Sequence, residues 1–208
     1  MKFSVSSVEL QKVLGVIGGV IPSKSTLPIL ENFLFDLAKD KLSIIATDLD
    51  ISMSFDLKVK GSGDGKIAIP AKRLTETVRS LPITDIQFVI DTESNKIIMT
   101  TTNGEYKLAG ESSDNFPSLP SFKGIEEIKL ETESLRRMIT KTSFAVSTDE
   151  LRPAMMGILF QIGKSEIRSV ATDGHRLVRL VHTGLASKQM EREIIVPAEG
   201  ASVSFLIW

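Results

Sequence analysis

KLSIIATDLD (residues 41–50) and SVATDGHRL (residues 169–177) share the tripeptide Ala-Thr-Asp, at Ala46–Asp48 and again at Ala171–Asp173. The two occurrences lie 125 residues apart, and at that offset residues 3–51 align with 128–176 without a gap. Leu10/Leu135, Pro28/Pro153, Leu34/Leu159, Phe35/Phe160 and Lys39/Lys164 are identical as well. Apolar character agrees more widely, at Phe3/Ile128, Val5/Leu130, Val13/Met138, Leu14/Ile139, Leu37/Ile162, Leu42/Ile167 and Ile45/Val170. Further along, Ile67–Ala71 matches Ile194–Ala198 at an offset of 127, so one loop differs by two residues. Similarity at a fixed period is the mark of one structural unit used more than once. The chain therefore reads as two tandem copies of a domain.

Each copy has the same expected order of elements. A short alternating strand (Phe3 and Val5; Ile128 and Leu130) leads into a helix with Leu10, Val13, Leu14 and Ile17, or Leu135, Met138, Ile139 and Thr142, on one inward face. Ser7 and Thr132 are expected to cap these helices. ILENFLFDLA and KLSIIATDLDISMSFDLKV, joined by a turn at Lys39–Lys41, predict a hairpin of two strands. A glycine-rich turn (Gly61 to Gly65) precedes the strand KIAI, and Ala71–Leu81 predicts a second helix stopped before Pro82. DIQFVID, KIIMTTT and EYKLAGE predict three closing strands, and Ser113–Lys123, with Pro117 and Pro120, predicts a linker. The fold class is α+β, each unit being two helices on antiparallel sheet. Boundaries fall at 1–122 and 123–208, and the second copy lacks a counterpart of residues 82–115.

Composition narrows the function. The 208 residues are 42% hydrophobic and 25% charged, which suits a globular chain and not a disordered one. Cysteine is absent, excluding disulfides, thiolate metal sites and thiol nucleophiles together. Two histidines, His175 and His182, are too few for a histidine-built metal centre. Apolar runs fall short of the ~20 residues that span a membrane, and the charged start MKFSVSSVELQKV is not a signal peptide. A cytoplasmic protein is expected.

Net charge is −1, so no global basic field advertises nucleic acid. Locally the picture differs. Lys72, Arg73 and Arg79 stand on the second helix of copy one, Arg136, Arg137 and Lys141 on the first helix of copy two, and Lys12 and Lys24 accompany the first helix of copy one. Acids gather in strands and turns (Asp36, Asp40, Asp48, Asp50, Asp91, Glu93), predicting positive helices and a negative sheet. A solvated helix face accounts for any one cluster; recurrence on repeated helices points to phosphate contact without base readout. Asp48 and Asp50 could bind a divalent cation or divide acid and base roles. Only Asp48 recurs in the repeat, as Asp173, which favours a turn-forming role. Asp173–Arg176 looks like a metal or proton-shuttle fragment without a second ligand cluster. No GxSxG, P-loop or GxGxxG motif is present, and no nucleophile is nominated.

VATDGHRL (170–177) resembles the bacterial sliding clamp, the beta subunit of DNA polymerase III. The similarity runs through MKF, TLPIL (26–30), ATDLD (46–50), IPAK (69–72), DNFPSLP (114–120), MGILF (156–160) and IIVP (194–197), in family order over nearly the whole chain. The resemblance implies the DNA-clamp fold, without catalytic chemistry or cofactor. Family members carry three such domains and form a homodimeric ring around double-stranded DNA, independent of sequence. Polymerase subunits, the clamp loader and repair proteins dock on it by a linear peptide, and no membrane is involved. By position, Met155, Thr172, Gly174, His175, Arg176 and Leu177 would form the domain-two half of the peptide pocket. Lys24 and Thr148 would lie in loops facing DNA, with Asp149 replacing an uncharged residue. Tyr106 and Leu108 would lie at the subunit interface, where Asn103 and Glu105 replace basic residues. After Pro197 the resemblance fades and no third domain follows, so this chain is not expected to close a ring. The alternative is a stand-alone two-repeat interaction module with no role on DNA; a nucleotide- or metal-dependent enzyme is a more distant one.

Overall fold

The computed structural model describes residues 1–22, 25–49, 51–118, 130–183 and 191–197. The chain divides into two compact units, Met1–Pro120 and Ser121–Trp208.

In unit one, β1 (Lys2–Ser6) runs into α1 (Ser7–Ile17), a short 3-10 turn (Gly18–Val20) and a second 3-10 turn (Pro28–Glu31). Strands β2 (Asn32–Ala38), β3 (Lys41–Thr47) and β4 (Ser52–Lys58) follow, then the three-residue β5 (Lys60–Ser62). β6 (Gly65–Pro70) leads into α2 (Ala71–Ser80), and β7 (Asp85–Asp91), β8 (Lys96–Thr101) and β9 (Gly104–Ala109) complete the unit. The orders β4-β3-β2-β6 and β5-β1-β7-β8-β9 make two antiparallel sheets. The pattern strand-helix-three strands therefore occurs twice within the unit, and the halves exchange their first strands: β1 pairs with β7, and β6 with β2. Neither half completes its sheet alone, which binds the two into one core.

That core follows from the periodicities. α1 buries Leu10, Val13, Leu14 and Ile17; α2 buries Leu74 and Val78. Phe3, from β1, stacks on Phe88 of β7 with ring centroids 4.6 Å apart, and Phe35 of β2 tilts against both. Such aromatic pairs add to the area they bury.

Unit two repeats unit one at the same spacing. α3 (Thr132–Thr142) lies 125 residues after α1, the 3-10 turn Ser143–Ala145 after Gly18–Val20, and β11 (Glu166–Thr172) after β3. β10 (Gly157–Ile162), β12 (Leu177–Thr183) and β13 (Arg192–Pro197) form with β11 a sheet ordered β12-β11-β10-β13, matching β4-β3-β2-β6. α3 buries Met138 and Ile139 in a cluster with Ile158, Phe160 and Ile167; Thr142 is buried too, its hydroxyl donating to the Met138 carbonyl, and Leu135 is half-buried. Ile128 and the stretch after Pro197, where a first strand and second helix were expected, lie outside the described residues.

Several expectations are corrected. Ser7 and Thr132 open their helices rather than cap them; the cap positions are Ser6 and Glu131, without a side-chain capping bond. The Ser7 hydroxyl donates instead to the Pro82 carbonyl and accepts from Thr84 N–H, each at 3.0 Å. The single strand expected over 41–59 is two, because the Ala-Thr-Asp segment ends in a tight turn. Ile29–Glu31 is 3-10, since Pro28 presets a helical φ and lacks a strand donor. Ser113–Asn115 is also 3-10, and Phe116 is buried with Ile29, Leu30 and Leu34, so the start of the expected linker belongs to the core. The negative sheet is not found: Lys2, Lys41, Lys58, Lys60, Lys66, Lys96 and Lys107 all lie on strands of unit one and outnumber their acids.

Candidate nucleic-acid and partner interfaces

Lys12 on α1, Lys72, Arg73 and Arg79 on α2, and Arg136, Arg137 and Lys141 on α3 are all exposed. Burying one apolar stripe of each helix turns these cations to the opposite side. Among the described residues only Arg136 has an ion-pair partner, Glu133 at 4.0 Å; the other six have none. Strand cations are placed differently: Lys41 pairs with Asp56 and Lys66 with Asp36, each at 2.8 Å, Lys107 with Glu105 at 3.0 Å, and Arg168 with Glu166. The first turn of α2 holds Lys72 and Arg73 and no acid. That opposes the helix dipole, whose positive end favours anions. α3 obeys the dipole, with Glu133 first and Lys141 last. Lys24 lies outside the described residues.

The second constellation sits where β11 turns into β12. Thr172 Oγ1 donates to the Arg176 carbonyl (2.7 Å) and accepts from Gly174 N–H (3.1 Å). One Asp173 carboxylate oxygen accepts from His175 N–H and Arg176 N–H at 3.0 Å, and the other from Arg176 Nε at 2.9 Å. These donors hold the Asp173 carboxyl down at about 2, the two backbone bonds dominating. Gly174 takes φ +89°, and a Cβ there would meet the Arg152 guanidinium at 3.4 Å. His175, Arg176 and Leu177 are presented to solvent, Leu177 at 65% exposure.

The same turn exists in unit one. Thr47 Oγ1 donates to the Ile51 carbonyl (3.0 Å) and accepts from Leu49 N–H (3.1 Å), and Asp48 accepts from Ile51 N–H (2.6 Å). Leu49 stands where Gly174 stands, at φ +83°. Ala-Thr-Asp is thus a turn device, and the Asp48 carboxylate serves the backbone. Asp50 lies outside the described residues, among which no cluster of three or more metal-ligating side chains occurs.

Loop 147–155 adjoins the unit-two turn. Ser147 N–H donates to the Met155 carbonyl (2.9 Å), and Met155 N–H to the Arg152 carbonyl (2.8 Å). Asp149 accepts from Leu151 N–H (3.0 Å) and pairs with Arg152 (3.5 Å), so its charge is spent inside the loop. Thr148 is exposed and Met155 half-buried. Arg152, whose carbonyl accepts from Met155 N–H, brings its guanidinium up to Gly174 of the 172–177 turn; the sequence reading did not nominate it, although Asp-x-x-Arg recurs at 149–152 and 173–176. Tyr106 and Leu108 lie on β9, the outer strand of its sheet, half-buried and paired with the buried Met99 and Ile97. Glu105 pairs with Lys107, as noted above.

Tandem units of helices on antiparallel sheets, with surplus cations on the helices, define the α+β DNA-clamp class. The family model for the DNA polymerase III beta subunit N-terminal domain matches residues 1–120, and that for its central domain matches 129–204. The chain belongs to the DNA polymerase III beta subunit family. It is 30% identical over 201 residues to the beta sliding clamp of Pseudomonas aeruginosa, covering 96% of this chain and 54% of that protein. Against the Chlamydia pneumoniae beta sliding clamp identity is 32% over 198 residues, covering 95% and 54%. The crystal structure of the P. aeruginosa beta subunit superposes with a TM-score of 0.93 at 27% identity, over 100% of this chain and 56% of that one. A P. aeruginosa clamp bound to griselimycin gives 0.91 at 28%, over 100% and 57%. The chain spans about half the length of these relatives. No helix among the described residues is long and apolar enough to cross a membrane.

Proposed function

We propose that this chain supplies the N-terminal and central domains of a beta sliding clamp, a cytoplasmic, non-catalytic processivity factor that keeps DNA polymerase III on duplex DNA, the closed ring being a property of the full-length protein. The observation that carries this reading is the set of exposed helix cations, six of them without an ion-pair partner among the described residues, on a chain of this family. Phosphates are the counter-ions such a surface lacks, and a clamp must slide, so contacts belong on the backbone and not on base edges. Lys24 and Thr148 are assigned to loops touching DNA. Met155, Thr172, Gly174, His175, Arg176 and Leu177 are assigned to the domain-two half of a pocket for linear peptides of polymerase, loader and repair proteins, and Tyr106 and Leu108 to the subunit contact of the homodimeric ring that the full-length protein forms. No cofactor is required.

The test is fluorescence anisotropy with two labelled duplexes of unrelated sequence. Equal affinities are expected, falling steeply with salt, because neutralised phosphates release counter-ions. Replacing Lys72 and Arg73 by Glu should reduce the salt slope by about one unit per lost contact. A preference between the duplexes, or no binding at low salt, points instead to a protein-interaction module.

A further inference from the structure

The Arg176 guanidinium lies over the ring of Phe144, 5.5 Å from its centroid. Phe144 belongs to the 3-10 turn that follows α3, next to the fully buried Ala145, yet it is 56% exposed. A phenylalanine so exposed forgoes much of the burial that stabilises such a side chain. The repeat shows that the pair is not needed for folding. Unit one builds the same 3-10 turn at Gly18–Val20 and the same Thr-Asp turn at 47–51, with Gly19 in place of Phe144 and Ile51 in place of Arg176. The hydrogen bonds of the turn form without either partner. What unit two adds is control of a long cationic side chain: Asp173 holds Nε at 2.9 Å and the Phe144 ring lies beneath the guanidinium carbon.

We propose that Phe144 is a positioning residue of the peptide pocket, its ring face holding Arg176 in the orientation that receives a bound peptide. This rests on the pocket reading above. With the rotamer preset, binding does not pay the ordering entropy of a flexible arginine. An exposed cation–π contact is worth a modest amount, so its loss weakens binding about twofold to fivefold without unfolding the chain.

The test compares the whole chain with Phe144→Leu, which keeps an apolar side chain but has no π face, and Phe144→Tyr, which restores the face. Two readouts are taken: the ring-current shift of Arg176 Nε–H by NMR, and the affinity for griselimycin, which the P. aeruginosa clamp binds, by calorimetry, its place on this chain being read from the amide shifts it causes. The expected result is a shifted Nε–H in wild type and Phe144→Tyr but not in Phe144→Leu, weaker griselimycin binding in Phe144→Leu alone, and equal melting temperatures. Wild-type affinity in Phe144→Leu, or an unchanged Nε–H shift, overturns the proposal. If wild type shows the Nε–H shift but griselimycin, at saturating concentration, moves amide signals elsewhere and none of those of residues 172–177, the pocket reading fails while the Phe144–Arg176 contact stands.

Discussion

Leu49 and Gly174 occupy equivalent places in two turns with the same hydrogen bonds, and both have φ between +80° and +90°. For an L-residue with a side chain that conformation costs about 1–2 kcal/mol. Glycine adopts it freely, at a cost of roughly 0.5–1 kcal/mol in unfolded-state entropy. Leu49 is 58% exposed, so little burial is lost on replacing it. Strain relief outweighs entropy, and Leu49→Gly is expected to stabilise the chain by about 0.5–1 kcal/mol in urea titrations. Destabilisation would mean that the Leu49 side chain makes a contact worth more than its strain. Asp173 carries a different prediction. Its carboxyl is depressed from 3.8 to about 2, so its contribution is present above the ordinary carboxylate value and lost as pH falls through about 2. Wild type should exceed Asp173→Ala in stability at pH 7, with the gap closing between about pH 4 and 2. A gap independent of pH would place the effect of Asp173 outside its charge.

At the scale of elements, α2 combines a fully buried Leu74 with a first turn that its own dipole disfavours. Reversing that charge should help the helix and harm the proposed function. Lys72→Glu gains about 0.3–1 kcal/mol from the dipole at low salt and loses about 0.2–0.5 kcal/mol to repulsion from Glu76 one turn on. A net gain of up to about 0.5 kcal/mol is expected by thermal melting, with weaker duplex binding. Should both quantities fall, the Lys72 side chain has a structural partner and the first turn is not under electrostatic strain. Strand cations are the counter-example. Lys66 is tied to Asp36, and removing it should leave duplex affinity unchanged because that charge is already spent.

At the scale of the molecule, near-zero net charge and phosphate binding are compatible because the charges are sorted by partner and not by sign of surface. Cations on strands are in part matched across the sheet, where opposite residues lie side by side. Helix cations face away from the buried stripe, and seven of them share three acids on the same helices, Glu9, Glu76 and Glu133, so cations are in excess there. The exchange of β1 and β6 between the halves of unit one has a second consequence: the outer strands are β4 and β5 on one side and β6 and β9 on the other, each with a backbone edge unpaired by a full neighbour. Edges of this kind suit association by strand pairing, as proposed for Tyr106 and Leu108.

By itself the sequence determined the repeat, its offset, the inward faces of α1 and α3, and the residues of the Ala-Thr-Asp segment. These depend on local periodicity and on a pattern written twice along one chain. Tertiary structure decided which cations stay unpaired, that the strand breaks after Thr47 and resumes at Ser52, that Phe116 is core and not linker, and that Arg152 and Phe144 stand against the 172–177 turn. Those are contacts between residues distant in sequence, such as Phe144 and Arg176, or energies set by a neighbouring strand. A linear pattern does not encode such distances; only the packing of the elements creates them.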